Sequence, residues 1–291
     1  MWCEPTLKDS TLVGVGDDAA VVGNSGDPTI LCSDLTIEGT HFDLSFSTPM
    51  DVGFKCLARA LSDIAAMGGR SVGVTVSIAL PKNWAVDRCL IFLEDFFRGA
   101  VDIALKTETT ILGGDLSSID GPIVIDVAAL GATRKGTKPW LRSGAKPGDL
   151  AFVTGPLGAA GFALRELIAG RGTTLKSELA LRHLRPWPRL DIAKELATSP
   201  IHAAMDLSDG LFKDGPRLAR ESKVSFHIDE TKIPLALRGI SDLSERERLD
   251  FAINSGDDYE LLLAIPKEWA TSHEGSQKIA SLGLVHIGHF S

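Results

Sequence analysis

Short apolar runs and two long amphipathic segments alternate along the first half of the chain. The runs "TLVGVG", "AAVVG" and "TILCSDL" are typical of strands joined by turns. After "STPMD", one stripe of apolar residues recurs at spacings of three and four. Its members are Phe54, Leu57, Leu61 and Ile64. This spacing predicts an α-helix that buries one face.

The ends of this helix carry their own signals. Thr48 is a suitable N-cap, Pro49 suits the first helical position, and Asp51 gives the spacing of a capping box. Gly68 and Gly69 predict its end. A buried strand is expected over Val72–Leu80, because the segment is apolar and β-branched.

A second long helix is predicted over residues 85–106, followed by strands at "TTILGGD" and "PIVIDVAALGA". One side of that helix is expected to face the core. Its members are Val86, Cys89, Leu93, Phe96, Phe97, Ala100 and Ala104. The two helices and their flanking strands would pack together as one mixed α/β domain.

The composition changes at "TRKGTKPWLRSGAKPGD", which is rich in Lys, Gly and Pro and indicates a domain boundary. We expect an N-terminal domain over 1–136 and a C-terminal domain over 137–291. The second half predicts strands at "LAFVTG", "KVSFHID" and "YELLLAI". Helices are predicted at "GAAGFALRELIAG" and over 188–197, 211–221 and 242–253. Strands, hairpins and helices are interleaved, so the predicted fold class is α+β, with two mixed α/β domains.

Composition and charge exclude several classes of protein. The 291 residues carry a formal net charge of −8, which argues against general nucleic-acid binding. The four cysteines have neither CxxC nor zinc-site spacing, so we expect reduced thiols in a cytoplasmic protein. The first residues lack the apolar core of a signal peptide, and no apolar run approaches the ~20 residues of a membrane span.

Six loops share one pattern, in which an apolar element is followed by a small residue and then a carboxylate. Their acidic residues are Asp17, Asp18, Asp34, Glu38, Asp63, Asp115, Asp206, Asp209, Asp257, Asp258 and Glu260. Any one loop could be an ordinary turn or helix cap, because Asp and Gly are standard turn residues. The recurrence of the pattern favours a shared site.

Lys and Arg are nearly absent from these loops, so buried carboxylates there would need another counter-charge. Oxygen ligands without His or Cys indicate Mg²⁺, which in such sites usually holds phosphates as well. There is no "GK[ST]" phosphate loop and no protein-kinase signature. "GPLGAAG" lacks GxGxxG spacing, so tight helix packing is the preferred interpretation.

With these motifs in view, the chain resembles the thiamine-monophosphate kinases of the aminoimidazole-ribonucleotide-synthetase-like ATP-binding superfamily. The resemblance rests on "GDDAAVV", "SDLTIEGTHF", "LARALSDIAAMGG", "LGGDLSS", "RSGAKPGDLAFVTGPLG", "LRHLRPWPR", "MDLSDGL" and "SGDDYEL", in that order along the chain. It implies transfer of the γ-phosphoryl group of ATP to thiamine monophosphate, with several Mg²⁺ ions. It also implies a homodimer whose N-terminal sheets pair into a barrel.

The resemblance also implies a role for individual residues. The metal-binding positions would be Asp18, Cys32, Ser33, Asp34, Asp63, Asp115, Asp206 and Asp209. The ATP contacts would be Gly114, Asp115, Arg142 and Ser208, and the substrate contacts would be His41 and Asp257. No residue is predicted to act as a general acid or base. The acceptor is already an oxyanion, so charge neutralisation by the metals and Arg142 would suffice.

Some positions depart from the family pattern. Relatives usually have Tyr-Gly where this chain has Thr107 and Glu108, "GGED" where it has "SGDD", and Ser or Thr at Cys32. They also continue past the position of Ser291 into a segment with an aromatic residue that packs on thiamine. We therefore expect ATP and Mg²⁺ binding to survive these departures better than thiamine specificity. The alternatives are a superfamily enzyme with another substrate and a non-catalytic nucleotide-binding homologue.

Overall fold

A computed structural model describes residues 11–13, 16–23, 27–172 and 177–291 of the chain. Its strands are β1 Thr11–Val13, β2 Ala20–Val22, β3 Thr29–Ile37, β4 Arg70–Pro81, β5 Thr110–Ile119, β6 Val124–Ala132, β7 Leu150–Val153, β8 Ala203–Asp206, β9 Phe226–Ile228, β10 Leu261–Ile265 and β11 Val285–Phe290. Its helices are α1 Pro49–Ala66, α2 Val86–Lys106, α3 Ala159–Ile168, α4 Ser177–Leu184, α5 Leu190–Glu195, α6 Leu211–Ser222, α7 Glu245–Asn254, α8 Lys267–Ala270 and α9 His273–Leu282. None of the helices in these ranges is long and apolar enough to cross a membrane.

The first six strands form one sheet in the order β1-β2-β3-β6-β4-β5. Neighbouring strands are antiparallel except β4 and β5, which are parallel and joined by α2. The inward residues of β4 and β6 are β-branched or alanine and fully buried, for example Val74 opposite Ala129. The helix α1 packs on β3, β4 and β6, so one face of this sheet is buried.

The opposite face of this sheet, which we call the open face, is exposed along β3 and β5. Leu31, Leu35 and Leu112 have 47%, 48% and 55% of their surface exposed. Between these leucines, the residues that face each other on neighbouring strands have short side chains, such as Ala128 opposite Ser33. A broad, flat and partly apolar sheet surface is unusual on a monomer and typical of an interaction surface.

The second sheet has five strands in the order β8-β10-β7-β11-β9, and all its neighbours are antiparallel. Strand β10, which pairs with β8 on one side and β7 on the other, is fully buried. One continuous core joins the two sheets, because α1 contacts β3 and β6 on one side and β8 and α5 on the other. The helix α1 therefore lies between the sheets, which explains why 14 of its 18 residues are buried.

Several predictions about local structure are confirmed. The helix α1 has a complete Thr48–Asp51 capping box and ends before Gly68, whose φ of 66° requires glycine. The predicted bounds of α2, β4 and β6 agree within a few residues. The placement of Val86 in the core was wrong, because it is 73% exposed: the buried residues of α2 begin at Phe92, so the first turn of the helix lies outside the core. No sequence pattern predicts α4, β8, α8, α9 or β11.

The expectation of two mixed α/β units is confirmed at the level of the two sheets. The predicted boundary between residues 136 and 137 falls between β6, the last strand of the first sheet, and β7, the first strand of the second. The exact domain limits stay a prediction. The pairing of sheets into a barrel concerns a second copy of the chain and is considered below.

The helices α1 and α2 touch through two glycines. A Cβ at Gly53 would lie 1.9 Å from the Phe96 carbonyl oxygen, and one at Gly99 would lie 1.8 Å from the Met50 carbonyl oxygen. The backbones are thus in direct contact, and neither position has room for a methyl group.

We predict that Gly53→Ala destabilises the protein by about 2 kcal/mol, because the helices must separate. Helix propensity alone would predict the opposite sign, a gain of about 1 kcal/mol. Urea denaturation of the variant measures the free energy of unfolding. The control is Ser281→Ala on the exposed side of α9, which should change stability by less than about 0.5 kcal/mol. An unchanged or raised stability of Gly53→Ala would show that the helix contact is not tight.

Candidate active site

Three carboxylates from distant parts of the chain meet at the end of α1. They are Asp18 from the loop before β2, Asp63 from the last turn of α1, and Asp206 at the end of β8. One ligand oxygen from each lies within 4.8 Å of the others. We call these three residues the acidic triad. Its position explains why a carboxylate stands where α1 is about to end.

The surroundings hold the acidic triad in place. Ser62 Oγ donates to Asp206 Oδ2 at 2.8 Å, and Arg142 Nη2 lies 2.5 Å from Asp18 Oδ1. The backbone N–H of Arg142 also donates to the carboxylate of Asp17. Asp18 Oδ2 is buried, and no described residue of the chain makes a hydrogen bond to it. One oxygen of the triad is therefore left for a ligand.

Burial and mutual repulsion make the triad hard to ionise. Desolvation, followed by the charge of Asp206, raises the pKa of both Asp18 and Asp63 well above its usual value. Desolvation also raises the pKa of Asp206, which the hydrogen bond from Ser62 counteracts. Three carboxylates with raised pKa values and an orphaned oxygen fit a hard divalent cation, whose charge would stabilise their ionised forms.

A second group of residues continues from the triad. Asp34 on β3 is close enough to raise the pKa of Asp63 and Asp206 by its charge. Arg59 on α1 lies 3.4 Å from Asp34 and donates to Thr36 Oγ1 at 2.7 Å. Its Nε donates to the Tyr259 hydroxyl at 3.0 Å. Arg59 thus links the first sheet to the loop before β10.

The loop before β10 is fixed against the loop after β8 by backbone hydrogen bonds. Asp257 N–H donates to the Ser208 carbonyl, and Tyr259 N–H donates to the Leu207 carbonyl. Asp257 and Tyr259 both have positive φ, at 66° and 51°. The motifs "MDLSDGL" and "SGDDYEL" therefore meet, as the resemblance implies.

A cavity of about 150 Å³ opens beside this loop. Residues from four segments line it: Gly39, Thr40, His41, Phe42, Asp43, Phe46, Leu164, Ile168, His183 and Asp257. His41 Nδ1 accepts the Ile37 N–H at 3.1 Å, so its Nε2 carries the proton in the neutral ring. Desolvation and the charge of Arg59 lower the pKa of His41. The cavity is smaller than the ~300–1,000 Å³ of typical ligand pockets, so it suits one ring of a larger ligand.

Other predicted site residues lie apart from the acidic triad within the chain. Asp115 and Gly114 are exposed on the edge strand β5. Ser33 is on the open face and donates to Asp126 Oδ1 at 2.7 Å. Asp209 is exposed and pairs with Arg217 at 3.1 Å. Their predicted ligand roles stay predictions.

The register places Asp115 on the open face of the first sheet. Asp115 is opposite Ser77, Ser77 is opposite Asp126, and Asp126 is opposite Leu35. Directly opposite residues share a face. Asp34 occupies the other face of β3, so two intervening strands and the sheet itself separate Asp34 from Asp115.

Cys32 borders the acidic triad from β3. Its Sγ lies 3.3 Å from the Ala60 carbonyl oxygen, to which the thiol donates. Burial, followed by the charges of Asp63 and Asp34, raises the pKa of this thiol. The thiol is therefore a neutral packing group here, and only its protonated sulfur or its carbonyl oxygen could face a cation.

Two of the acidic loop residues have structural roles. Asp258 accepts the backbone N–H groups of Gly158 and Ala160 at the start of α3, and buried Glu260 pairs with Arg182 and Arg189. The carboxylate of Asp258 thus occupies the helix end that "GPLGAAG" would offer to a phosphate. The alternative of tight packing there is confirmed, since a Cβ at Gly158 would lie 2.7 Å from the Ala252 nitrogen.

Basic side chains from outside the acidic loops supply part of the counter-charge at this site. Arg59 and Lys55 project from α1 into this region, and Arg142 reaches it from the segment before β7. A usable signal was present, because Lys55, Arg59, Ser62 and Asp63 repeat at helical spacing in an otherwise apolar helix. Tyr259 and His183 carried no such signal, since only the tertiary fold brings them here.

Two family models match the chain. The N-terminal domain of AIR synthase related protein matches residues 16–133, and the C-terminal domain matches residues 146–279. A thiamine-monophosphate kinase of Rhodopirellula baltica is 34% identical over 275 residues, covering 91% of this chain and 79% of that protein. One of Bacillus subtilis is 34% identical over 271 residues, with 90% and 81% covered.

Solved structures agree with these relatives. A structure described as AaThiL complexed with AMPPCP and TMP has a TM-score of 0.84 at 28% identity, covering 100% of this chain and 88% of that one. The thiamine-monophosphate kinase of Stenotrophomonas maltophilia has a TM-score of 0.81 at 32% identity, with 99% and 90% covered. The hydrogenase maturation protein HypE, with a TM-score of 0.72 at 17% identity and 98% and 84% covered, shares the fold.

The pKa shifts of the acidic triad predict a pH-dependent response to Mg²⁺. An acid whose pKa is raised in the folded state keeps its proton after the unfolded chain has lost it near pH 4. Stability therefore falls as the pH rises above that value, and a bound cation offsets the fall. We expect the rise in melting temperature caused by MgCl2 to grow between pH 5 and 8.

Thermal melting with and without MgCl2 measures this effect. Asp63→Asn should raise the melting temperature without cation, because a repelling charge is removed, and should abolish most of the Mg²⁺ response. Asp120→Asn, an exposed pair with Lys82, is the matched control and should respond as the wild type does. A Mg²⁺ response that is equal at all pH values would contradict a cation site at the triad.

Proposed function

The chain belongs to the thiamine-monophosphate kinase family, a class of phosphotransferases that use ATP and a phosphate acceptor, and we propose how its residues carry out the transfer. The observation that carries the proposal is the acidic triad, with its orphaned oxygen, next to a ring-sized cavity. We propose direct, in-line transfer of the γ-phosphoryl group of ATP to thiamine monophosphate, assisted by Mg²⁺. This family membership favours an active enzyme over a non-catalytic homologue.

Asp18, Asp63 and Asp206 would hold the cation nearest the reacting phosphates, with Asp34 beside them. A divalent cation held by these residues would supply the positive charge that offsets the repulsion between the two anionic substrates. The acceptor is an oxyanion at neutral pH, so the protein needs no general base. The chain's own contribution is to align the two phosphates and to exclude free water from between them.

Arg142 has the position of a charge-stabilising residue. Its guanidinium lies against Asp18 at the triad, and its Nε is buried without a partner. A guanidinium offers several donors in a fixed plane and can hold a carboxylate and a phosphate oxygen together. Ser222 fixes the segment by donating to the Arg142 carbonyl at 2.8 Å. We assign Arg142 to the polyphosphate of ATP.

The cavity beside Asp257 and His41 would take the organic part of the acceptor. It adjoins the triad through Asp34 and Arg59, so a ligand in it can direct a phosphate toward the cation site. The solved relative that carries AMPPCP and TMP together supports a joint site for an ATP analogue and thiamine monophosphate. The imidazole of His41, with its pKa lowered, would act as a neutral donor.

We further propose that the enzyme is a homodimer in which the open faces of two N-terminal sheets pair. The exposed Leu31, Leu35 and Leu112 support this, since two such faces would bury one another. Pairing would also give the exposed Gly114 and Asp115 a role, as residues delivered to the nucleotide site of the partner subunit. Two copies of one surface can meet in this way around a twofold axis.

The decisive experiment combines the protein with ATP, MgCl2 and thiamine monophosphate and measures thiamine diphosphate by chromatography. We expect product, and we expect Asp115→Asn to lower kcat by about 100-fold or more, as removal of a charge-stabilising group does. Asp120→Asn, on the same edge of the sheet, is the control and should keep wild-type turnover. Absence of thiamine diphosphate with the wild-type protein would contradict the proposed function.

Mixed dimers test the proposed origin of Asp115. Asp63→Asn and Asp115→Asn subunits are each expected to be inactive. After refolding together, half of the dimers combine both variants, and each of these keeps one intact site, so about a quarter of wild-type activity should return. If Asp115 acts within its own chain, every site carries a defect and the mixture stays inactive.

A further inference from the structure

A buried charge cluster forms one wall of the cavity. Lys55 Nζ, from α1, donates to Asp257 Oδ2 at 2.8 Å and lies 3.3 Å from His183 Nε2 on α4. Lys55 and His183 are each 3% exposed. The residues that the motifs assign to metal, ATP or substrate include neither Lys55 nor His183. His183 lines the cavity together with Asp257, and Lys55 contacts both of these residues.

The cluster fixes the tautomer of His183. An ammonium group has only donors, so Lys55 must donate to His183 Nε2, which then holds a lone pair. The proton of the neutral ring is therefore on Nδ1. Desolvation and the charge of Lys55 lower the pKa of His183 to about 4, so the ring is neutral at physiological pH.

The Nδ1–H of His183 is buried and has no hydrogen-bond partner among the residues that the structure describes. It lies 3.5 Å from Asp257 Oδ2, too far for a good hydrogen bond. A buried donor without a partner is costly and marks a place where a ligand supplies the acceptor. Beside it, Asp257 is an acceptor whose pKa stays low because the Lys55 charge and hydrogen bond outweigh the burial of the carboxyl.

The buried His183 Nδ1–H and the Asp257 carboxylate thus lie side by side as one donor and one acceptor, on two residues that line the cavity. The carboxylate oxygens accept from Lys55 Nζ and the Tyr259 hydroxyl, and each keeps a further lone pair for a ligand. A ring nitrogen next to an exocyclic amino group has the complementary order, one acceptor beside one donor. This is the edge of a 4-aminopyrimidine, the ring that thiamine monophosphate carries at the end opposite to its phosphate. The apolar walls of Phe42, Phe46 and Leu164 suit the faces of such a ring.

We propose that His183 and Asp257 recognise the aminopyrimidine edge of thiamine monophosphate by hydrogen bonds. Lys55 is the residue that positions both side chains. His183 Nδ1–H donates to the ring nitrogen, and the amino group donates to Asp257. Lys55 sets the tautomer of His183 and fixes the position of the Asp257 carboxylate. This inference rests on the proposed function, because it names how that same site selects its acceptor.

The experiment compares thiamine monophosphate with its 4-oxo analogue, in which the amino group is an oxygen and the ring nitrogen carries a proton. The ring nitrogen then donates and the exocyclic oxygen accepts, which is the reverse of the two roles in thiamine monophosphate. We expect the wild type to show a KM for the 4-oxo substrate about 10-fold or more above that for thiamine monophosphate, with a smaller change in kcat.

His183→Leu should raise the KM for thiamine monophosphate by about 10-fold and reduce the discrimination between the two substrates. His183→Asn keeps an amide donor near the place of Nδ1 and should restore part of the discrimination, which a purely structural role would not predict. His273→Leu, on the exposed start of α9, is the matched control and should leave both KM values unchanged.

The tautomer gives a readout that needs no turnover. Two-dimensional 15N–1H spectra of the histidine rings should show Nδ1–H for His183 in the wild type and a loss of that preference in Lys55→Met. Titration with free 4-amino-2-methylpyrimidine should shift the His183 resonances and not those of His273.

The outcomes separate the two proposals. Wild-type protein that makes thiamine diphosphate while His183→Leu keeps the same KM ratio for the two substrates would overturn this inference and leave the proposed function standing. Wild-type protein that makes no thiamine diphosphate overturns the proposed function. In that case an Nε2–H tautomer, or no response to the pyrimidine, overturns the inference as well.

Discussion

The fold is organised around the burial of carboxylates that repel one another. Asp18, Asp63 and Asp206 come from three separate segments, yet their oxygens lie within 4.8 Å. Such a cluster is costly without compensation, because each charge loses water and faces two like charges. The chain supplies part of the compensation through Arg142 and Ser62. The remaining deficit, visible in the raised pKa values and in the unpaired Asp18 oxygen, is the physical basis of the proposed cation site.

The helix α1 is the element on which both the fold and the site depend. It lies between the two sheets, and its capping box fixes where it begins. From that start, helical spacing sets the positions of Lys55, Arg59 and Asp63 on the side that meets the second sheet. A shift of the helix would therefore disturb the cavity wall, the link to Tyr259 and the acidic triad together. Contact through Gly53 leaves little room for such a shift.

Local signals in the sequence predicted much of this arrangement, and tertiary effects account for the rest. The capping box, the apolar stripe of α1 and the Asp-rich strand ends could be recognised because each depends on neighbours within a few residues. The exposure of Val86 could not, since the apolar stripe of α2 does not show at which turn burial begins. The pairing of Lys55 with His183 joins residues 128 positions apart. The role proposed for Asp115 depends on a second copy of the chain, which no single-chain pattern describes.

Backbone strain near the cavity fits the same physical account. Asp257 and Tyr259 hold positive φ, which is unfavourable for residues with a side chain. Two backbone hydrogen bonds to the loop after β8 hold them there, and Lys55 and Arg59 bind their side chains. A strained backbone of this kind persists only where several contacts hold it in place. It fixes the Asp257 oxygen that accepts hydrogen bonds before any ligand binds. The conformational entropy of the cavity residues is thus lost during folding. A phosphate acceptor of the right shape would then bind to a site that is already ordered.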